Sequence, residues 1–314
     1  MHRGVGLVAA AGAVLALAAP AHASELIADR NATRISLEVN AKGEALLTYR
    51  RESGLSRRVL AWGAVDARPP TAGVRQVKLR LDYAGGWAKY RRPGYWRRFR
   101  DVCRPYDGPR LVNLVAACRA SDGSYWAVQR WQRLQPNLGF DPWLKRHTDW
   151  ELHLSHWTGP LPLLELYTHW SYRGSAVGVF ARLTYRGVPV HGFDATPRGV
   201  PLDGYGRNVY VDTYDSVYGP GWRRESGILT HRPTGTLCHS FVPQTIYAHY
   251  PGAGGRRPAA PGSKYRATAM GPGVTPVVRA EAPGLGTYDP VAAAQLTRTF
   301  DRVMAGDRIC AGER

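Results

Sequence analysis

The chain has 314 residues, with 42 Lys and Arg against 24 Asp and Glu, giving a formal net charge of +18. At 44% hydrophobic and 21% charged it is neither collagen-like nor disordered throughout. Ten Trp and 17 Tyr, each able to bury on the order of 150–250 Å², supply a sizeable core, and the length accommodates one large domain or two modest ones.

The N-terminus reads as a cleavable export signal over residues 1–23. His2 and Arg3 precede an uncharged apolar run from Val5 to Ala19, and Pro20-Ala21-His22-Ala23 supplies the small-x-small pattern of a peptidase site. The run is shorter than the roughly 20 apolar residues of a spanning helix. No later segment is long and apolar enough to span a bilayer. Removal of 23 residues, Arg3 among them, leaves 291 residues and a net charge of +17. A secreted or extracytoplasmic protein is expected.

Period-2 alternation then dominates. Ile35, Leu37 and Val39 alternate with Arg34, Ser36, Glu38 and Asn40; Ala41-Lys42-Gly43 turns the chain; Ala45, Leu47 and Tyr49 return it. This hairpin suggests an N-terminal subdomain over 24–68, either separate or merged with the next domain, and Arg68-Pro69-Pro70 marks a seam. A main β-sandwich domain is expected over 69–250, opening with an alternating strand through Val77, Leu79, Leu81 and Tyr83. One helix is predicted at about 109–119. Asp107 caps it, Pro109 suits its first turn, and Leu111, Leu114, Val115 and Cys118 share a face.

Strands resume at Tyr125–Arg130 and continue to about Phe241. Residues 251–288, rich in Gly, Pro and Ala, read as an extended loop. Asp289-Pro290 opens a last helix over about 290–305 with an apolar stripe of Leu296, Phe300 and Val303, within a C-terminal unit of 289–314. The fold class is therefore mainly β: an antiparallel, sandwich-like body with two short helices.

Four cysteines, Cys103, Cys118, Cys238 and Cys310, remain after processing. An even count in an exported chain favours two disulfides over metal ligation or catalysis. Of three pairings, Cys103–Cys118 and Cys238–Cys310 are preferred as joining neighbours along the chain.

Three constellations carry candidate chemistry. In residues 87–104, cations interleave with rings: Trp87, Tyr90, Arg91, Arg92, Tyr95, Trp96, Arg97 and Arg98 are the candidate binding residues. Arg forks suit phosphate or carboxylate, and rings stack on sugar faces or bases. Eight cations lie between Lys89 and Arg110 against two acids, Asp101 and Asp107. The bland reading is a solvated loop whose rings fold back into the core.

The second is a shared strand parity. Asp149, Glu151, His153 and Ser155 alternate with apolar residues, as do Glu165, Tyr167, His169 and Ser171 beyond Thr158-Gly159-Pro160. A hairpin there places Glu151 across from His169 and His153 across from Tyr167. Glu151 and Glu165 become acid/base candidates, with His169 as a tuning partner. An ordinary wet sheet face would look the same.

The third runs from 203 to 240: Asp203 to Asn208, Asp212 and Asp215, then His231…Cys238-His239, which invites comparison with cysteine transpeptidases of bacterial walls. It lacks their Ser-x-Gly-Cys element, and Cys238 is better placed in a disulfide. No alternating Asp/Asn calcium loop is present, and His147, His153 and His156 lack a metal-ligand pattern. No phosphate loop, Gly-x-Ser-x-Gly elbow, His-Glu-x-x-His or Cys-x-x-Cys occurs, so no cofactor and no metal are expected.

The leading expectation is a non-catalytic binder of an acidic polymer or glycan at the cell envelope. The alternatives are a polysaccharide-active enzyme using the 149–171 face and a structural envelope protein without a small ligand.

Overall fold

The computed structural model describes residues 24–66, 79–132, 149–171, 174, 176–190, 208–216, 219–231, 233–241, 262–270 and 276–313. The export signal, the Arg68-Pro69-Pro70 seam and Trp143 lie outside them.

The strands of the first half are β1 (Ser24–Leu26), β2 (Thr33–Val39), β3 (Ala45–Arg50), β4 (Ser56–Gly63), β5 (Leu79–Asp82), β6 (Arg104–Pro105), β7 (Leu114–Arg119), β8 (Tyr125–Gln132) and β9 (Trp150–Trp157). They form two antiparallel sheets, ordered β1-β9-β8-β7-β6 and β2-β3-β4-β5. Val39, Ala45, Leu47, Tyr49, Val59 and Ala61 of one sheet meet Trp126, Val128, Leu152 and Leu154 of the other in a single buried cluster. Alternation puts these residues on one face of each strand, and burying that face fixes the register.

The second half repeats the plan with β10 (Leu163–Ser171), β11 (Ala176–Tyr185), β12 (Val188–Pro189), β13 (Val209–Ser216), β14 (Gly219–Ile228), β15 (Thr236–Phe241), β16 (Lys264–Ala269) and β17 (Val278–Pro283). In one sheet β11 pairs with β10, β12 and β15; the other runs β14-β13-β16-β17. Their facing sides enclose a second core of Leu164, Leu166, Val179, Leu183, Val209, Val211, Tyr265 and Ala267. Helix α2, the second in the chain (Pro290–Val303), is capped by Asp289, whose side chain accepts from the Val291 and Ala292 amides, and lays Phe300 and Val303 against Phe180.

Both halves are thus mainly β and sandwich-like, and the core divides at residues 158–162. The N-terminal hairpin merges into the first sandwich: β4 and β5, on either side of the expected seam, pair in one sheet. The two halves meet through Gln129, whose side chain donates to the Val277 carbonyl (2.9 Å) and accepts from the Val277 amide (2.9 Å), beside a cluster of Trp131, Tyr210, Met270 and Val277.

Three sequence expectations are corrected. The helix at 109–119 is not formed; Leu114–Arg119 is β7, paired with β8 across a turn in which Ala120 donates to the Ser124 carbonyl and Asp122 accepts from the Ser124 amide. Leu114 and Val115, assigned by helical spacing to a buried face, are exposed. The tract 251–288, expected as a loop, contains β16 and β17. The hairpin of 149–171 does not exist: β9 already has β1 on one edge and β8 on the other, so no edge is left for β10. Residues 158–160 instead cross to the second sandwich. Asp66 holds that crossing, accepting from the Thr158 amide (2.8 Å), the Thr158 hydroxyl (2.7 Å) and Arg186 (2.7 Å).

Cys103–Cys118 and Cys238–Cys310 are both disulfide-bonded, with Cα separations of 5.7 and 5.8 Å. The first ties β7 to the segment entering β6. The second ties β15 to the chain beyond α2. No described helix is long and apolar enough to cross a membrane, which leaves strand-built membrane spans unaddressed.

Candidate functional site: a cationic ridge over the first sandwich

The basic-aromatic stretch folds back across the outer face of the β2–β5 sheet. Along that face Leu46 pairs with Leu60, and Leu60 with Asp82; all three are buried although they point away from the core. The cover is a one-turn helix, α1 (Trp87–Tyr90), followed by a 3-10 turn (Tyr95–Arg98).

Two carboxylates anchor this cover. Asp82 accepts from the Ala84 amide (2.8 Å), the Ala88 amide (2.7 Å) and the Lys89 amide (3.3 Å), which starts α1 without a local capping side chain. Glu44, 3% exposed, receives Lys89 and the Tyr90 hydroxyl, and also the Tyr95 hydroxyl (3.1 Å) and Asn40 (2.8 Å). Burial alone would raise the Glu44 carboxyl. The hydrogen bonds from Lys89, Tyr90 and Asn40 outweigh it and hold the group below its ordinary range, so it stays charged.

The rings are packed by cations and by one another. Tyr90 and Tyr95 stack at 4.2 Å, Arg58 lies 3.7 Å from the Trp96 ring centre, and Lys89 lies 4.5 Å from that of Trp62. Gly85 and Gly86 make room for this packing. Gly86 has φ 106°, and a Cβ there would lie 2.5 Å from the Tyr95 ring.

The eight predicted binding residues therefore separate into two groups. Tyr90, Tyr95 and Trp96 are half-buried and engaged with Glu44 or Arg58. Trp87 is 45% exposed, and Arg91, Arg92, Arg97 and Arg98 are exposed, as is Arg100. None of these five arginines forms an ion pair with a described carboxylate; the Arg97 guanidinium lies 5.2 Å from the Trp96 ring centre. α1 brings Trp87 and Arg91 together one turn apart, with the Arg91 amide donating to the Trp87 carbonyl (2.8 Å). The result is an ordered ridge carrying one open ring and several solvated guanidiniums.

Sequence patterning missed Asp82, at the end of β5 just before the stretch, and Glu44, Arg58 and Trp62, which are distant in sequence. The available signal was the Gly85-Gly86 pair immediately before Trp87, a mark of close backbone approach.

The other constellations do not assemble. Glu151 is buried on β9 with Arg30 at 3.5 Å, and Asp149 takes Asn31 (2.8 Å) and Arg30 (3.4 Å). Glu165 stands on β10 opposite Arg182, in a different sheet from Glu151, and accepts from the Tyr167 hydroxyl (3.0 Å). His169 is buried against Phe180 and Phe300, and burial pulls its pKa down to about 4. The expected acid/base face is therefore corrected: its members lie in two sheets and are largely enclosed. His153 is fully buried and driven to about 4 by desolvation, whereas His156 stacks on Trp126 and bonds the Gly63 carbonyl and the Ser124 hydroxyl. Asp212 sits between Arg224 (2.8 Å) and Arg266 (2.7 Å), and Asp215 accepts from the Gly221 amide. Asp203 to Arg207 lie outside the described residues.

No family model matches the chain, and no curated protein or solved structure matches it.

Proposed function

We propose that the protein binds an acidic polymer or glycan at the cell envelope through the ridge formed by Trp87, Arg91, Arg92, Arg97 and Arg98. One observation carries this reading. The carboxylates beneath the ridge are engaged by Lys89, tyrosine hydroxyls and backbone amides, so the arginines above them face solvent without a described acidic partner. An arginine fork recognises carboxylate or phosphate oxygens in pairs, and repeated anions along a polymer suit several forks held at fixed spacing. Anchoring by Glu44 and Asp82 orders the backbone before any ligand arrives, which lowers the entropic cost of binding. Trp87 adds a flat apolar surface for a sugar face.

The test is retention of the protein on an immobilised acidic polysaccharide, with an uncharged polysaccharide in parallel. Retention at low ionic strength is expected only on the acidic matrix, with release by about 1 M salt, where the screening length is about 3 Å. Salt-independent retention, or equal retention on the uncharged matrix, contradicts the proposal.

A further inference from the structure

His231, Cys238, Cys310 and Asp307 meet at the C-terminal edge of the second sandwich. His231 begins a tight turn, donating its amide to the Thr236 carbonyl (2.7 Å) and accepting from the Gly235 amide (2.9 Å), and β15 follows with Cys238. Beyond α2 the chain turns back. The Asp307 amide donates to the Met304 carbonyl (2.8 Å), and the Asp307 carboxylate accepts from the Ile309 amide (2.8 Å) and the Cys310 amide (3.2 Å). The carboxylate's other oxygen receives the Thr236 hydroxyl and lies 2.7 Å from His231 Nδ1. That same nitrogen is 3.8 Å from Cys310 Sγ.

The ligand atoms of His231, Cys238 and Cys310 all lie within 4.8 Å of one another, and no other such group of three occurs among the described residues. A tetrahedral zinc ion, with bonds of about 2.3 Å to sulfur and about 2.0–2.1 Å to nitrogen or oxygen, sets its ligand atoms roughly 3.3–3.8 Å apart. The nitrogen-to-sulfur distance here is already of that size. The disulfide bond itself holds the sulfurs closer than an ion would. Cys310 is fully buried, while Cys238 and His231 are half-buried, so the cluster is enclosed yet within reach of solvent.

We propose that His231, Cys238 and Cys310 form a site for a thiophilic divalent metal ion, of the zinc class, that opens when the Cys238–Cys310 disulfide is reduced. The reductant is a dithiol. It transfers two electrons and two protons, closes to its own disulfide, and leaves Cys238 and Cys310 as thiols. The ion displaces both thiol protons as two metal–sulfur bonds form. His231 coordinates through Nδ1, its proton moving to Nε2, and a solvent water completes the tetrahedron. The oxidised protein, with its sulfurs bonded to each other, does not take the ion. The site is separate from the cationic ridge and needs no polymer.

The protein is reduced with a dithiol, freed of it under argon, and titrated with cobalt(II) while near-ultraviolet circular dichroism follows the fold. A thiolate-to-cobalt absorption band saturating at one ion per chain, and displaced by equimolar zinc(II), is expected. The band should be absent from the oxidised protein, lost in Cys238→Ser, and weakened by tenfold or more in His231→Ala. Because reduction frees all four cysteines, zinc protection from alkylation is read peptide by peptide: Cys238 and Cys310 should be shielded and Cys103 and Cys118 should not. A folded reduced protein without the band overturns the proposal. So does a band that survives Cys238→Ser, protection confined to Cys103 and Cys118, or cobalt uptake seen only after the near-ultraviolet signal is lost.

Discussion

Arginine, tryptophan, tyrosine and a buried carboxylate meet twice in this molecule, with opposite consequences. On the ridge, Glu44 takes Lys89 and two tyrosine hydroxyls, and the arginines are left at the surface. On the β13–β14–β16 face, Asp212 stands directly opposite both Arg224 and Arg266 and binds both; all three are buried. There Arg224 lies over Trp131 and Tyr210, and Arg266 over Trp222. A basic-aromatic composition therefore says little about binding until the partner of each carboxylate is known. Where the acid takes the guanidiniums, the cluster is architecture. Where it takes other donors, the guanidiniums remain available.

The sharpest way to break this comparison is Asp212→Ala. It leaves two buried guanidiniums without their carboxylate and should lower unfolding stability by about 3–5 kcal/mol in urea titration. A loss below about 1 kcal/mol would show that Asp212 does not organise that face. Acid probes the same buried region, because His153 lies beside Trp131. Its pKa falls from 6.5 in the unfolded chain to about 4 in the fold, so the unfolded state binds the extra proton between those values. Stability should therefore decline as pH drops from about 6.5 to 4, by at most about 3 kcal/mol from this group. In His153→Gln that part of the slope should vanish.

Smaller effects are expected on the ridge. Glu44→Ala should cost about 1–3 kcal/mol, by leaving Lys89 and the tyrosine hydroxyls without their acceptor. It should also weaken retention on acidic polymer, because the arginines lose their fixed spacing. Gly86→Ala should cost about 1–3 kcal/mol through its positive φ and the close Tyr95 ring, with the same loss of retention. Removing exposed arginines should change stability least of all, within about 0.5 kcal/mol.

Much of the strand content was legible because alternation is a local property. Ile35, Leu37, Val39 and Ala45, Leu47, Tyr49 announce β2 and β3, and the cysteine pairing followed from proximity along the chain. The helix expected at 109–119 rests on Leu111, Leu114, Val115 and Cys118 fitting a helical period by coincidence; the Asp122-Gly123 turn commits β7 to β8 instead. Alternation in β9 and β10 is local and legible, but their partnership is not, since edge occupancy depends on β1, far away in sequence. Half of the ridge was legible for the same reason. Arg91 to Arg98 stand together in the sequence, with Asp82 shortly before them, whereas Glu44 and Arg58 arrive by folding. The Asp307–His231 contact joins residues 76 apart and left no local signature.

The ridge arginines are functional rather than merely solvated only if polymer affinity depends on them. The direct measurement compares the protein with the Arg91→Gln/Arg92→Gln/Arg97→Gln/Arg98→Gln variant, for thermal midpoint and for affinity toward an acidic polysaccharide at several salt concentrations. An unchanged midpoint, affinity at least tenfold weaker and a flatter salt dependence are predicted. Affinity that survives the four substitutions in a folded protein would contradict a binding role for the ridge.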